Sequence, residues 1–326
     1  MTKNLKRILT GVQSTGIPHL GNILGAIIPA INFSKKDDSE TYLFIADFHS
    51  LTQIKNSELL KQNTLHTASV WLACGLDPDK TVFYRQSDVP QVTELTWYLS
   101  CFFPYNRLTL AHSFKDKKDR LEDVNSGLFN YPMLMAADIL LYDAQIVPVG
   151  KDQLQHLEIT RSVANRFHNI FGETFVIPQE HLQKESKLIP GTDGEKMSKS
   201  KNNVINIFAS EKELKKQIQS IKTDSTALEK PKDWKSCNLF KIYSLIASNK
   251  QVEAMKTNYQ NGGYGYGHGK KDLVELILNK YSKERERYNY YISNPNEVEK
   301  ILIQGSLKAK TTAGEVLNRV RKKLGY

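Results

Sequence analysis

Cysteine is scarce in this chain. There are three in 326 residues, Cys74, Cys101 and Cys237, far apart and none in a CxxC pair. That excludes a disulfide framework and a cysteine-based zinc site, and it fits a reducing compartment. The eight histidines show no HExxH spacing. Neither a GxGxxG fingerprint nor a Walker lysine loop occurs, so the two commonest phosphate-binding spellings are missing. No apolar run approaches the roughly 20 residues that span a bilayer. The opening MTKNLKRILTGVQ is basic but has no long apolar stretch and no cleavage site, so it does not read as a secretory signal.

What remains is the composition of a soluble globular protein, with 40% apolar and 25% charged residues. The net charge of +10 suits a polyanionic partner. At roughly 150 residues per domain the length predicts two domains. The first part alternates strands and helices. Short apolar strands are expected at Ile8 to Val12, Thr41 to Ala46, Thr81 to Tyr84 and Ile146 to Val149. Between them, Leu60, Thr64, Ala68, Trp71 and Leu72 share one helical face, as do Leu154, Leu157, Ala164 and Phe167. The alternation predicts an α/β fold with a doubly wound parallel sheet, Rossmann-like, with ligands at the strand ends.

After about Asn206 the pattern becomes helical. Ser210 and Glu213 spell a capping box, as do Thr312 and Glu315 ahead of a last helix bearing Val316, Leu317, Val320 and Leu324. Further helical patterns run through Leu273–Leu278 and Val298–Ile303, and residues 261 to 271 (NGGYGYGHGKK) read as a Gly/Tyr loop. The expected division is a catalytic domain over residues 1–205, a smaller all-helical domain over 206–295, and a C-terminal helix over 296–326 packing back on the catalytic domain.

Two segments are suited to phosphate chemistry. The first strand runs into Gln13-Ser14-Thr15-Gly16-Ile17-Pro18-His19-Leu20-Gly21-Asn22, where a glycine admits close backbone approach and the helix that follows offers N–H groups to an anion. A plain strand–turn–helix corner capped by His19 would be spelled the same way. The second segment is Gly191-Thr192-Asp193-Gly194-Glu195-Lys196-Met197-Ser198-Lys199-Ser200-Lys201, with lysines three apart and interleaved hydroxyls after two glycines. Mobile ammonium groups of this kind stabilise charge building on a leaving pyrophosphate.

KMSKS paired with a His-x-Gly-x segment near the N-terminus resembles a class I aminoacyl-tRNA synthetase. Tyr131-Pro-Met-Leu-Met135-Ala-Ala-Asp138, Val147-Pro-Val149-Gly150-Lys151-Asp152-Gln153-x-Gln155-His156, Gly11-Val12-Gln13 and Ala46-Asp47-Phe48-His49 narrow the likeness to the bacterial tryptophanyl-tRNA synthetases. The resemblance implies activation of L-tryptophan by ATP with Mg²⁺ and transfer to tRNA(Trp), in a cytoplasmic homodimer, with no metal held by the protein itself and no membrane or DNA partner. It implies that His19, Lys196 and Lys199 are catalytic. ATP would meet Gln13, Ser14, Thr15, Gly21, Asn22, Gly150, Lys151, Asp152 and Ile189, together with Lys196, Met197, Ser198, Lys199 and Ser200. Tryptophan would meet Asp138, Met135, Tyr131, Gln153, His49, Val147 and Val149. Tyr131 and Gln153 would take the α-ammonium and His49 the carboxylate.

The residues support the central assignment independently. An indole N–H is a lone donor in need of an acceptor, and Asp138 sits inside MLMAADILLY, where a carboxylate needs a partner. The chain departs from the family at Asn22, where other class I members have histidine, and at Leu9, where an aromatic residue is often found beside the pocket. The alternatives are a tyrosyl-tRNA synthetase, a nucleotidylyltransferase and a catalytically dead RNA-binding homologue. Tyrosyl enzymes tend to place Gln where Met135 stands and usually carry a further C-terminal RNA-binding domain, for which this chain ends too early. The long helical part argues against the nucleotidylyltransferase, and the intact lysine loop against the dead homologue.

Overall fold

The structure, a computed structural model, describes residues 5–36, 38–110, 124–150, 153–182 and 189–326. Lys151 and Asp152 of the expected ATP set therefore lie outside the described residues. The chain divides into two compact units, one of Met1–Gly16, Pro29–Lys184 and Tyr291–Tyr326, the other of Ile17–Ile28 and Glu185–Tyr290. This division differs from the expected boundary at 205, because the lysine loop and the His19 segment both fold with the helical residues.

The first unit is built on five parallel strands, β1 (Lys6–Val12), β2 (Ser39–Ile45), β3 (Thr81–Arg85), β4 (Ile146–Val149) and β5 (Gln179–Leu182), in the order β3-β2-β1-β4-β5. Ile8 pairs with Thr41 on one side and Ile146 on the other. The chain order thus reverses between β1 and β4, and the crevice beyond their carboxyl ends is where such sheets bind ligands. β5 was not foreseen. Its sequence, QEHL, is polar and lacks apolar alternation, because an edge strand is held by its backbone ladder to β4 alone.

Helices α1 (Ser57–Ala73), α2 (Gln91–Phe102), α3 (Ser126–Leu140) and α4 (Leu154–Phe171) belong to the same unit. Asparagines start two of them. Asn56 Oδ1 accepts the Leu59 N–H at 2.8 Å and Asn125 Oδ1 accepts the Leu128 N–H at 3.0 Å, filling backbone donors that the first turn leaves open. Leu9, Tyr42, Val82, Tyr84, Val147 and Val149 of the sheet join Leu95, Leu99, Met133, Leu157 and Phe167 of the helices in one core.

In the second unit lie α5 (Glu211–Gln219), α6 (Asn238–Ile246), α7 (Asn249–Asn261) and α8 (Tyr266–Lys280), with Leu214, Ile218, Leu239, Ile242, Leu273 and Ile277 buried. Ser210 caps α5, accepting the Glu213 N–H at 3.2 Å. The Gly/Tyr segment is less of a loop than its glycines suggest, since α8 begins inside it at Tyr266. Its rings are tied to acids: the Tyr264 hydroxyl donates to Asp272 and the Tyr266 hydroxyl to Asp224 at 2.8 Å.

The chain ends in α9 (Ser282–Ser293) and α10 (Pro295–Leu324). The expected helix start at Thr312 is not a start. Thr312 lies well inside the 30-residue α10, and its hydroxyl pairs with the Tyr42 hydroxyl at 2.9 Å. The buried stripe Val298, Leu302, Gly305, Ala309, Ala313, Val316 and Val320 keeps helical spacing throughout. Small residues at 305 and 309 weaken its apolar signal and make one helix read as two. Gly305 is obligatory on geometric grounds, because a Cβ there would lie 1.7 Å from the Phe83 carbonyl oxygen of β3. Gly305→Ala should therefore lower stability by about 1–3 kcal/mol or more, read as an earlier urea midpoint at unchanged slope. An unchanged midpoint would mean that α10 does not press on β3 this closely.

Candidate active site

Asp138 is the centre of the first unit's polar cluster. It sits on α3 and is 3% exposed. Gln86 Nε2 donates to both its oxygens, at 2.7 and 2.9 Å, and His49 Nε2 lies 2.9 Å from Oδ2. An ionised carboxylate only accepts, so His49 carries its proton on Nε2 here. Burial pushes the Asp138 carboxyl above the usual carboxylate range, while His49 and Gln86 pull it back down. His49, expected on the substrate carboxylate, stands beside the acid. Its Nε2 is committed to Asp138, so its visible role is to brace the acid.

Around this cluster Tyr131 packs edge-on to His49, ring centroids 6.1 Å apart, and its hydroxyl meets His156 Nε2 at 2.9 Å. Met135, about one turn before Asp138 on α3, is half-buried against the core. Val147 and Val149 are buried on alternate positions of β4, and Gln153, at the start of α4, donates its N–H to the Gly150 carbonyl at 3.0 Å. All seven residues expected at the amino acid thus belong to this unit, and His49, Tyr131 and Asp138 are brought together.

The turn after β1 is fixed from within. Ser14 is fully buried, its N–H donates to Ser50 Oγ at 3.0 Å, and its hydroxyl meets those of Ser50 and Thr64. Its side chain therefore holds the turn, while Gln13 is exposed and Thr15 half-buried beside it.

In the second unit the His19 segment and the lysine loop are packed together. His19 caps the short helix Leu20–Asn22: Nδ1 accepts the Asn22 N–H at 3.3 Å and Asn22 Oδ1 accepts the His19 N–H at 3.2 Å. The capping reading of His19 is therefore correct as far as it goes. Burial, with the charge of Lys199, holds the imidazole down to about 4, so it is neutral at pH 7 and its Nε2 is the donor. The Gly21 N–H points at Met197 Sδ, 3.3 Å away, and a Cβ on Gly21 would meet the His19 ring at 3.0 Å and Met197 Cβ at 3.4 Å. Gly21 thus lets the loop sit on the start of the helix. Lys196 is exposed and Lys199 half-buried, and burial brings the Lys199 ammonium down to about 8. Ser198 and Ser200 share a hydroxyl–hydroxyl bond of 2.9 Å. Ile189 is half-buried, and its carbonyl accepts the Met197 N–H at 3.0 Å.

Three further residues, to which the sequence assigned no role, matter here. Gln86 and His156 hold Asp138 and Tyr131. Asn203 organises the lysine loop: its Oδ1 accepts the Ser198 N–H at 2.7 Å, and its Nδ2 donates to Asp193 at 2.7 Å and the Lys196 carbonyl at 3.1 Å. Among the described residues, no three His, Cys, Asp or Glu side chains gather in a metal-binding group, and no helix is long and apolar enough to cross a membrane.

The family described as tRNA synthetases class I (W and Y) matches residues 2–282. The tryptophan–tRNA ligase of Campylobacter jejuni (strain RM1221) is 48% identical over 319 residues, 98% of this chain and 99% of that protein. Its counterpart in Rhodopirellula baltica is 44% identical, with the same coverage. A crystal structure of tryptophanyl-tRNA synthetase from Campylobacter jejuni, complexed with ADP and tryptophan, superposes with a TM-score of 0.94 at 47% identity, over 98% of this chain and 100% of that one. The family match over residues 2–282, the 44–48% identity over 98% of the chain and the near-complete superposition place it plainly: the chain belongs to the W and Y family of class I tRNA synthetases.

Proposed function

We infer that the chain activates L-tryptophan with ATP and transfers it to tRNA(Trp). The observation that carries the reading is Asp138, a carboxylate 3% exposed and held by two side-chain donors. A buried acceptor of this kind suits the single N–H of an indole and is left unpaired by phenylalanine, which rejects the wrong ligand more sharply than shape does. Met135, Val147 and Val149 form the apolar wall, and Met135 supplies a polarizable surface for the ring. Tyr131 and Gln153 receive the α-ammonium.

The tryptophan carboxylate is ionised at neutral pH and attacks the α-phosphate in line, displacing pyrophosphate, so no general base is needed. Catalysis is positioning and charge stabilisation. Neutral His19 donates from Nε2, Lys199 and the more mobile Lys196 neutralise charge on the leaving pyrophosphate, and the interleaved serines donate hydroxyls. Gln13, Thr15, Gly21, Asn22, Gly150 and Ile189 complete the nucleotide contacts. Mg²⁺ held by the phosphates supplies further charge. The 2′-hydroxyl of the terminal tRNA ribose then attacks the acyl carbon of the adenylate, forming the ester as the acyl–phosphate bond breaks and AMP leaves with the hydroxyl's proton. The helical unit, with its many lysines, binds the anticodon end of the tRNA, and the enzyme acts as a cytoplasmic homodimer.

ATP–pyrophosphate exchange measured with each of the standard amino acids tests this. Exchange is expected with tryptophan, followed by charging of tRNA(Trp). Exchange with tyrosine instead would overturn the specificity, and exchange with none would overturn the activity.

A further inference from the structure

We infer that Gln86 is a specificity-determining positioning residue, which orients the Asp138 carboxylate so that its one open acceptor direction, on Oδ1, takes the indole N–H. The inference rests on the assignment of Asp138 to the indole. A carboxylate offers about four lone-pair positions. Two on Oδ2 are taken, by His49 Nε2 and Gln86 Nε2, both at 2.9 Å, and one on Oδ1 by Gln86 Nε2 at 2.7 Å. Among the described residues no other hydrogen bond reaches the carboxylate, which leaves a single position on Oδ1. Among the described residues Gln86 alone bridges both oxygens, so it sets the rotation of the carboxylate about its last bond, which His49 by itself leaves open.

Gln86 is in turn fixed. Its side chain is in a residue 1% exposed, and its Oε1 accepts the Phe48 N–H at 3.1 Å. Flipping the amide would set an NH₂ against that N–H and an oxygen against the carboxylate. The backbone on either side is clamped as well. Arg85 reaches Asp88 and Glu299, both at 2.9 Å, and the Ser87 N–H donates to Asp47 Oδ1 at 3.0 Å. A buried polar side chain held on every side, whose one donor group is spent on the substrate-reading acid, is costly unless it serves that acid.

The test compares kcat/KM for tryptophan with that for β-(3-benzothienyl)alanine, in which sulfur replaces the ring N–H, by pyrophosphate exchange in wild type, Gln86→Glu and Gln86→Met. Gln86→Glu keeps the shape and the acceptor for Phe48 but loses the donor; Gln86→Met loses both. Wild type should favour tryptophan strongly, and both variants should lower that preference by about tenfold or more, mainly through the KM for tryptophan. A wild-type preference near one would overturn the Asp138 assignment, and the Gln86 role with it. A strong wild-type preference kept in both variants, with both substrates slowed equally, would leave Asp138 in place and reduce Gln86 to a packing residue. The wild type gives an answer even if the variants misfold. The Gln86 side-chain NH₂ resonances should shift on binding tryptophan and much less on binding the sulfur analogue; equal shifts would count against the inference.

Discussion

Asp138→Ala is expected to lower kcat/KM for tryptophan in pyrophosphate exchange by about 10²-fold or more and to narrow the preference over phenylalanine. The loss exceeds that of one hydrogen bond, because His49 and Gln86 would be left as buried donors without their acceptor. Stability should respond differently. Burial raises the Asp138 carboxyl, so its ionised form is held at a cost at every pH above its folded value, and the unfolded chain ionises it more easily. Asp138→Asn removes that charge while keeping an oxygen for Gln86. Its melting temperature at pH 7 should be no lower than wild type, even though its exchange activity falls. A variant that lost activity only in proportion to a lowered melting temperature would mark Asp138 as a structural acid and remove it from the pocket.

This separation of roles also explains what was legible in the sequence. Asp138 stood out because a carboxylate within MLMAADILLY has to find a partner, and the lysine loop stood out by spacing. Four of the five strands, β1 to β4, were visible as short apolar runs between helical patterns. Of the two partners of Asp138, His49 was singled out for a different contact and Gln86 was not visible. Gln86 lies in Gln-Ser-Asp-Val-Pro, which reads as a polar turn, and nothing local says that 52 residues further on an acid will meet it. Asn203 was hidden in the same way, within Lys-Asn-Asn after the lysine loop. β5 was missed, and the continuity of α10 through its middle was not visible, for a related reason. One is a polar edge strand, and the other buries glycine and alanine where a pattern search expects larger apolar residues. Residues that do chemistry advertise themselves by being out of place locally, whereas residues that position them are set by tertiary contact.

The lysine loop yields the second large effect. Lys199→Ala should reduce kcat for pyrophosphate exchange by about 10²–10³-fold, the range seen when a preorganised stabiliser of transition-state charge is removed. The pH dependence should identify the same group. Burial lowers the Lys199 ammonium to about 8, so in the unliganded protein its charge is present below that value and lost as pH rises through it. kcat/KM for ATP should therefore fall above about pH 8. At saturating ATP the phosphates favour the charged form, so the fall in kcat should move to higher pH. His19, held to about 4 and neutral throughout, contributes nothing to this limb. Lys199→Arg supplies a cation that stays protonated across the range. It should keep part of the activity and abolish the alkaline fall in kcat/KM for ATP. A limb that persisted unchanged in Lys199→Arg would belong to another group, and the loop lysine would then be binding ATP without carrying the titrating charge of the chemical step.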